Sequence, residues 1–194
     1  MGEDFTLGQE GQNMKFKNFW GHFCTIHIHK IRVMKNCFRV GLIKQGLLHD
    51  LSKYSPEEFI PGVLYYQGNR SPNAAEIEEK GFSRAWLHHK GRNKHHCEYW
   101  IDFSMDSSKG LIGYKMPLKY LVEMVMDRIA ASKTYKGKEY TDAAPWEYYV
   151  QGKAYMIVAP ETEKLLEELL LMLKDEGEEK TFSYIRELLK KGDY

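Results

Sequence analysis

A histidine and an aspartate stand side by side at His49-Asp50, directly after the apolar pair Leu47-Leu48. A carboxylate buried next to an imidazole is costly unless a metal ion, a proton or an opposite charge compensates it. We therefore expect His49 and Asp50 to bind a metal ion together with ligands from other parts of the chain. The competing interpretations are a buried ion pair and a cap at a helix end.

Further candidate ligands lie before and after this pair. His29 precedes His49, although His22 and His27 are close enough to His29 to take its place as the ligand. Asp127 follows much later, with a surface ion pair to a nearby arginine or lysine as its alternative role. The remaining candidates are two pairs of neighbouring histidines, His88 with His89 and His95 with His96. Spacing does not decide which member of each pair points inward.

Imidazole and carboxylate groups are ligands for divalent metals, and a helical bundle brings them together by projecting side chains inward from several helices. We expect one or two such ions per chain, drawn from Fe, Mn, Zn, Co, Ni or Mg. Six of the eight histidines fall in three tight groups, which scattered surface histidines would not do.

Basic residues accompany these candidate ligands. Lys53 follows His49 by four residues, which predicts that the two share a helix face. Lys90, Arg92 and Lys94 surround the later histidines. Cations beside a metal suit a small anionic substrate, particularly one that carries phosphate.

The helical spacing of apolar residues indicates the elements that must position these groups. A helix from His88 that continues past Gly91 would place Arg92, His95 and His96 on the face of His88. Ser55 is expected to cap a short helix that begins at Pro56 and is interrupted at Pro61-Gly62, and Asn73 is expected to cap the next helix. Helices are predicted at 16–40, 42–50, 55–61, 73–80, 82 onward, 117–133, 142–159, 161–174 and 181–190.

Almost no stretch alternates with period two, so the sequence predicts an all-α, single-domain helical bundle. Residues 1–13 are polar and read as a flexible tail. Residues 14–159 are expected to form the metal-binding helical domain. Residues 160–194 are expected to add amphipathic helices packed on the same domain, with exposed apolar faces that make a homodimer a reasonable expectation.

Composition excludes several classes of protein. Lys plus Arg is 28 and Asp plus Glu is 27, and this net charge of +1 argues against dedicated nucleic-acid binding. No apolar run approaches the roughly 20 residues of a membrane span. Three cysteines without CxxC spacing suggest reduced thiols in the cytoplasm, with Cys37 and Cys97 as core residues.

Three ordered segments carry a resemblance to a known superfamily. Segments 29–33 (HKIRV), 47–53 (LLHDLSK) and 126–129 (MDRI) resemble the His, His-Asp, Asp signature of the HD-domain metal-dependent phosphohydrolases. Over most of residues 15–150 the chain also resembles a bacterial family of unknown function that has the strings HDLSKYSPEEF, YYQGNRSPNAA, WLHHKGRNKHH and DRIAASK.

The superfamily resemblance implies an α-helical fold and a metal held by His29, His49, Asp50 and Asp127. Superfamily members with two metals have two additional histidines between the His-Asp pair and the last aspartate. By that resemblance these would be one member of each later pair, His88 or His89 and His95 or His96.

The leading functional hypothesis is a metal-dependent hydrolase of a phosphate ester such as a nucleotide. Asp50 and Lys53 are the expected catalytic residues, and Lys53, Lys90, Arg92 and Lys94 are expected to bind the substrate phosphate. The first alternative is a di-iron oxygenase similar to myo-inositol oxygenase. The second is a protein without catalytic activity that binds metal or senses a ligand.

Overall fold

The computed structural model describes the backbone of residues 3–194 and the side chains of residues 16–194. The tail predicted for residues 1–13 lies outside the residues whose side chains are described. The predicted all-α class is confirmed, because the described chain is mainly helical with one small two-stranded sheet. The helices are α1 (Glu3–Arg39), α2 (Ile43–Leu48), α3 (Pro56–Leu64), α4 (Pro72–Lys80), α5 (Arg84–Lys90), α6 (Leu118–Lys136), α7 (Ala144–Gly152) and α8 (Pro160–Lys191).

The chain divides into two compact units. The first unit combines residues up to Ile28 with Leu51–His89, and the second combines His29–Asp50 with Lys90–Tyr194. Helices α3 and α4 belong to the first unit, whereas α2 and α6 to α8 belong to the second. None of the described helices combines the length and apolar character that a membrane crossing requires.

Two helices of the first unit begin with proline. Helix α3 starts at Pro56 after Ser55, as the sequence predicts, because the fixed φ of proline suits the first helical position. The predicted interruption at Pro61 is wrong: α3 continues through Pro61 to Leu64, and the proline removes only one backbone hydrogen bond. Helix α4 starts at Pro72, not after Asn73, for the same reason as α3.

The His-Asp pair lies just beyond a helix. Helix α2 ends at Leu48, and Asp50 is the one described residue other than glycine with a positive φ, at 52°. A left-handed residue cannot continue a right-handed helix, so Leu51–Tyr54 forms a separate 3₁₀ helix. The prediction that His49 and Lys53 share a helix face is therefore wrong.

A second helical prediction also fails at the later histidines. Helix α5 ends at Lys90, and the chain turns through Gly91 before a 3₁₀ helix at Cys97–Trp100. His95 and His96 therefore occupy this turn, and they do not share a helix face with His88.

Helix α6 forms the centre of the second unit. Its predicted apolar stripe is buried, and α7 and α8 pack against it. Five leucines of α8 are buried in the same core and so do not form an exposed dimer face: Leu165, Leu166, Leu169, Leu170 and Leu173. The fully buried α6 residues include Leu121, Val122, Val125, Met126 and Ile129.

A small hairpin follows the second 3₁₀ helix and was not predicted from the sequence. Strands β1 (Ile101–Phe103) and β2 (Leu111–Gly113) pair antiparallel, with Asp102 opposite Ile112. Three-residue strands are too short to show the alternation on which a strand prediction depends.

The last two predicted helices are joined as α8. The backbone leaves helical geometry at Gly177, where φ is 80° and ψ is 172°. The two predicted segments therefore lie on either side of this break, as the sequence indicates.

Close packing at Gly46 positions the chain just before His49. A Cβ atom on Gly46 would lie 3.0 Å from Cys37 Cβ and 3.2 Å from the Cα and carbonyl oxygen of Met34 in α1. Glycine is needed here because α2 approaches the backbone of α1 directly.

We expect Gly46→Val to lower the free energy of unfolding by about 1–3 kcal/mol, because the added atoms must displace the backbone of α1. The matched control is Gly152→Val in α7, where a Cβ atom would meet nothing within 4 Å. Urea denaturation of both variants measures the effect. Equal stability of the two variants would contradict the proposed tight contact.

Candidate metal centre

Four of the predicted ligands meet in the second unit. His29 Nε2 lies 2.9 Å from Asp127 Oδ1 and 3.8 Å from Asp50 Oδ2. His49 Nε2 lies 3.3 Å from Asp50 Oδ2 and 3.6 Å from Asp127 Oδ1. These donor atoms all lie within 4.8 Å of one another, and we call the four residues the first ligand group.

A second ligand group consists of Asp50, His95 and His96, whose donor atoms also lie within 4.8 Å of one another. His95 Nε2 lies 3.4 Å from Asp50 Oδ1. Asp50 therefore directs Oδ2 to the first group and Oδ1 to the second. Imidazole nitrogens and carboxylate oxygens fit first-row divalent metals, so both donor sets suit the expected ion.

The turn that carries Asp50 is fixed by a lysine. Lys30 Nζ donates hydrogen bonds to the carbonyl oxygens of Leu47, at 2.9 Å, and His49, at 2.7 Å. These carbonyls lie at the end of α2, where helical partners are missing, so the lysine satisfies them. Burial lowers the pKa of Lys30, against the opposing effect of Asp50 and Glu123.

A glutamate that the sequence analysis did not select contacts two of the histidines. Glu123 Oε1 accepts a hydrogen bond from His49 Nδ1 at 2.9 Å and lies 3.4 Å from His95 Nδ1. Glu123 is buried on α6, one helical turn before Asp127. An acidic residue within the apolar part of α6, at this spacing from a candidate ligand, is the signal that could have identified it.

The charges of the metal-free site depend on one another. Burial lowers the pKa of His49, but Asp50, Asp127 and Glu123 outweigh burial and raise it well above its usual value. Burial raises the pKa of Asp127, but hydrogen bonds from His29 and His49 outweigh it and hold it well below its usual value. Without metal, a protonated His49 ring therefore lies against the ionised carboxylates of Glu123 and Asp127, and a divalent cation could replace this positive charge.

Comparison with protein families gives one match for this chain. The family described as a family of unknown function, DUF5662, matches residues 18–172. The chain belongs to the DUF5662 family. No curated protein and no solved structure matches it. Both ligand groups and Glu123 lie inside the part of the chain that the DUF5662 match covers.

The two histidines that could replace His29 lie in the first unit of this DUF5662 protein. His22 is buried, and its Nδ1 has no hydrogen-bond partner among the described residues. His27 is exposed, stacks on Phe23, and has Nδ1 3.2 Å from the hydroxyl oxygen of Tyr54. In the first ligand group, the histidine supplied by α1 is therefore His29.

Asp127 takes its predicted inward position and does not form the alternative surface pair. Its Oδ1 faces the two histidines of the first ligand group, whereas Lys133 pairs with Glu178. The guanidinium of Arg128 contacts the sulfur of Met156.

The predicted phosphate-binding cations have local partners. Lys90 Nζ lies 3.3 Å from Glu98 Oε1, and Lys94 Nζ lies 5.6 Å from the ring centre of Tyr99. Arg92 is exposed on the turn that leads to His95. Their role toward a substrate stays a prediction.

Three other predicted site residues belong to the first unit, namely Lys53, His88 and His89. Glu58 is buried in α3, with Oε1 2.7 Å from His88 Nδ1 and Oε2 2.7 Å from His89 Nδ1. Burial raises the pKa of Glu58, but hydrogen bonds and charge from these histidines outweigh it and lower the pKa overall. Lys53 lies in the 3₁₀ helix that follows the His-Asp turn and acts electrostatically on His22.

The two buried cysteines are core residues, as predicted. Cys37 and Cys97 are buried, and burial raises the pKa of Cys97 to about 12, with a further contribution from Glu98. Burial also raises the pKa of the Cys37 thiol. Both therefore remain neutral thiols at neutral pH, which does not favour a nucleophilic role.

We expect His22 to destabilise the protein in acid. Burial, followed by the charge of Lys53, lowers the pKa of His22 to about 4, so the unfolded chain takes up a proton more readily than the folded chain. Uptake of this proton by the unfolded chain lowers the free energy of unfolding as pH falls from about 6.5 to about 4, by up to about 3 kcal/mol. Denaturation of wild type and His22→Leu between pH 8 and pH 4 measures the difference, and parallel pH profiles would contradict it.

Proposed function

We propose that this protein is a metal-dependent hydrolase of a phosphate ester. The observation that carries the proposal is the convergence of His29, His49, Asp50 and Asp127 into one buried donor set. These residues are spread over about a hundred positions in sequence, and the fold brings their donor atoms within 4.8 Å of one another. The same ordered residues carry the resemblance to the HD-domain phosphohydrolases.

The second ligand group supports hydrolysis further. Asp50 belongs to both groups, so the chain offers two adjacent donor sets joined by one carboxylate. Such paired sites are common in enzymes that cleave phosphate esters. A bound divalent cation would supply Lewis-acid polarisation of a phosphoryl oxygen and a more acidic water.

Protein groups around the donor sets have defined tasks in this proposal. Asp50 would be a catalytic residue because its two oxygens belong to the two donor sets between which the reacting phosphate and water would lie. Lys30 holds the turn on which Asp50 lies. Asp127 keeps 19% of its side chain exposed, so the first ligand group has access to solvent and to a substrate.

The substrate class follows from charge. The chain is nearly neutral overall, but Lys53, Lys90, Arg92 and Lys94 lie close in sequence to the candidate ligands. We propose that Lys90, Arg92 and Lys94 of the second unit bind the phosphate of the substrate and offset its charge. The catalytic and substrate-binding roles of Lys53, which lies in the first unit, stay predictions.

We expect Asp50→Asn to lose bound metal and to reduce phosphate release by at least about a hundredfold. Asparagine is chosen because it also tolerates the left-handed backbone at this position, so the variant removes charge without forcing a new conformation. The measurements are metal content by mass spectrometry and a phosphoester panel with Mn, Co, Ni, Mg and Fe.

The control is Asp142→Asn, at a carboxylate that accepts a hydrogen bond from Tyr140 outside both ligand groups. It should retain metal and activity. Two irons per chain with oxygen uptake and no phosphate release would replace the proposal with the di-iron oxygenase. Metal that stabilises the fold without turnover of any phosphoester would favour a protein without catalytic activity.

A further inference from the structure

One oxygen atom lies against both histidine rings that flank Asp50. Glu123 Oε1 is 2.9 Å from His49 Nδ1 and 3.4 Å from His95 Nδ1. The opposite nitrogens of the same rings face Asp50, with His49 Nε2 3.3 Å from Oδ2 and His95 Nε2 3.4 Å from Oδ1. Each ring therefore lies between Glu123 on one side and Asp50 on the other.

This arrangement decides which ring nitrogen is available to a metal. An ionised carboxylate only accepts hydrogen bonds, so a neutral imidazole beside Glu123 must carry its proton on Nδ1. The lone pair is then on Nε2, the nitrogen that faces Asp50. A carboxylate on the outer nitrogen of a ligating histidine also fixes the ring orientation and increases its basicity as a ligand.

His49 and His95 belong to different ligand groups. His49 is in the first group and His95 is in the second, while Glu123 contacts both. The same buried helix also carries Asp127, one turn after Glu123. Glu123, which contacts both histidines, and Asp127, a candidate ligand of the first group, thus lie on the same helix.

We infer that Glu123 is a positioning residue that orients one histidine in each ligand group, so that the binding of divalent metal by both groups depends on it. The inference rests on the proposed function only in taking the two groups as metal sites. It assigns Glu123 a role that acts through His49 and His95 and requires no contact with the substrate.

A competing role would make Glu123 a ligand itself. Glu123, His49 and His95 also place donor atoms within 4.8 Å of one another. In that case a metal would bind Nδ1 of both rings and displace their protons. The protonated nitrogen therefore distinguishes the two roles.

The first measurement is calorimetric titration of zinc ion into the metal-free full-length protein. We expect two binding events in wild type, and in Glu123→Gln we expect both to weaken by about 10–100-fold. Asp127→Asn should weaken only the event of the first ligand group. The control is Glu76→Gln, a buried glutamate of the first unit that accepts a hydrogen bond from Ser83, and it should bind zinc as wild type does.

The second measurement is a long-range ¹H–¹⁵N correlation spectrum of the histidines in the zinc-saturated protein. Wild type should show His49 and His95 protonated on Nδ1 with Nε2 coordinated, and Glu123→Gln should shift both Nδ1 signals. Coordination through Nδ1 in wild type would overturn the inference in favour of Glu123 as a ligand.

Other outcomes separate this inference from the proposed function. Wild type that binds two zinc ions while Glu123→Gln binds them equally well would overturn the role of Glu123 alone. A Glu123→Gln variant in which only one of the two zinc-binding events weakens would also overturn the role of Glu123. Wild type that binds no zinc would overturn both. If Glu123→Gln does not fold, Glu123→Asp retains the charge on a shorter side chain, and it should weaken both events in the same direction.

Discussion

The second unit depends on the electrostatic balance between buried carboxylates and imidazoles. Asp50 and Glu123 are almost entirely enclosed, and the partly exposed Asp127 completes the set. Each of these carboxylates would be costly to bury alone, and each lies against a histidine. The positions of Lys30, the turn at Asp50 and the packing of α2 on α1 and α6 all serve to keep these groups together.

Among the described residues, each unit contains a carboxylate that contacts two histidines through Nδ1. Glu123 does so in the second unit with His49 and His95, and Glu58 does so in the first with His88 and His89. In both cases the carboxylate is buried on a helix. Each glutamate thus constrains the ring orientation of two histidines, which spacing in the sequence does not reveal.

The sequence predicted the parts of the fold that depend on local pattern. The buried stripe of α6, the start of α3 at Pro56 and the break at Gly177 follow from apolar periodicity, proline at the first helical position and glycine conformation. The residues of the first group were also selected from the sequence: His49 and Asp50 because an adjacent histidine and aspartate in an apolar stretch are unusual, and His29 and Asp127 because their order resembles the HD-domain signature.

Features set by tertiary contacts were not predictable in the same way. The end of α2 at Leu48 and the left-handed Asp50 depend on the lysine that binds the last carbonyls and on close approach to α1. The roles of Glu58 and Glu123 depend on which side chains face them from other helices. Helix α5 likewise ends at Lys90, so His95 and His96 lie in a turn. Helical spacing had instead predicted that they share a helix face with His88.

The brevity of α2 has a consequence for how the protein is made. A helix of six residues is not stable in isolation, so the turn with His49 and Asp50 acquires its shape only when α6 is available to pack on α2. Helix α6 in turn buries much of its apolar surface against α8, which is synthesised after every candidate ligand. During synthesis, every candidate ligand is therefore made before α8, the helix against which α6 packs.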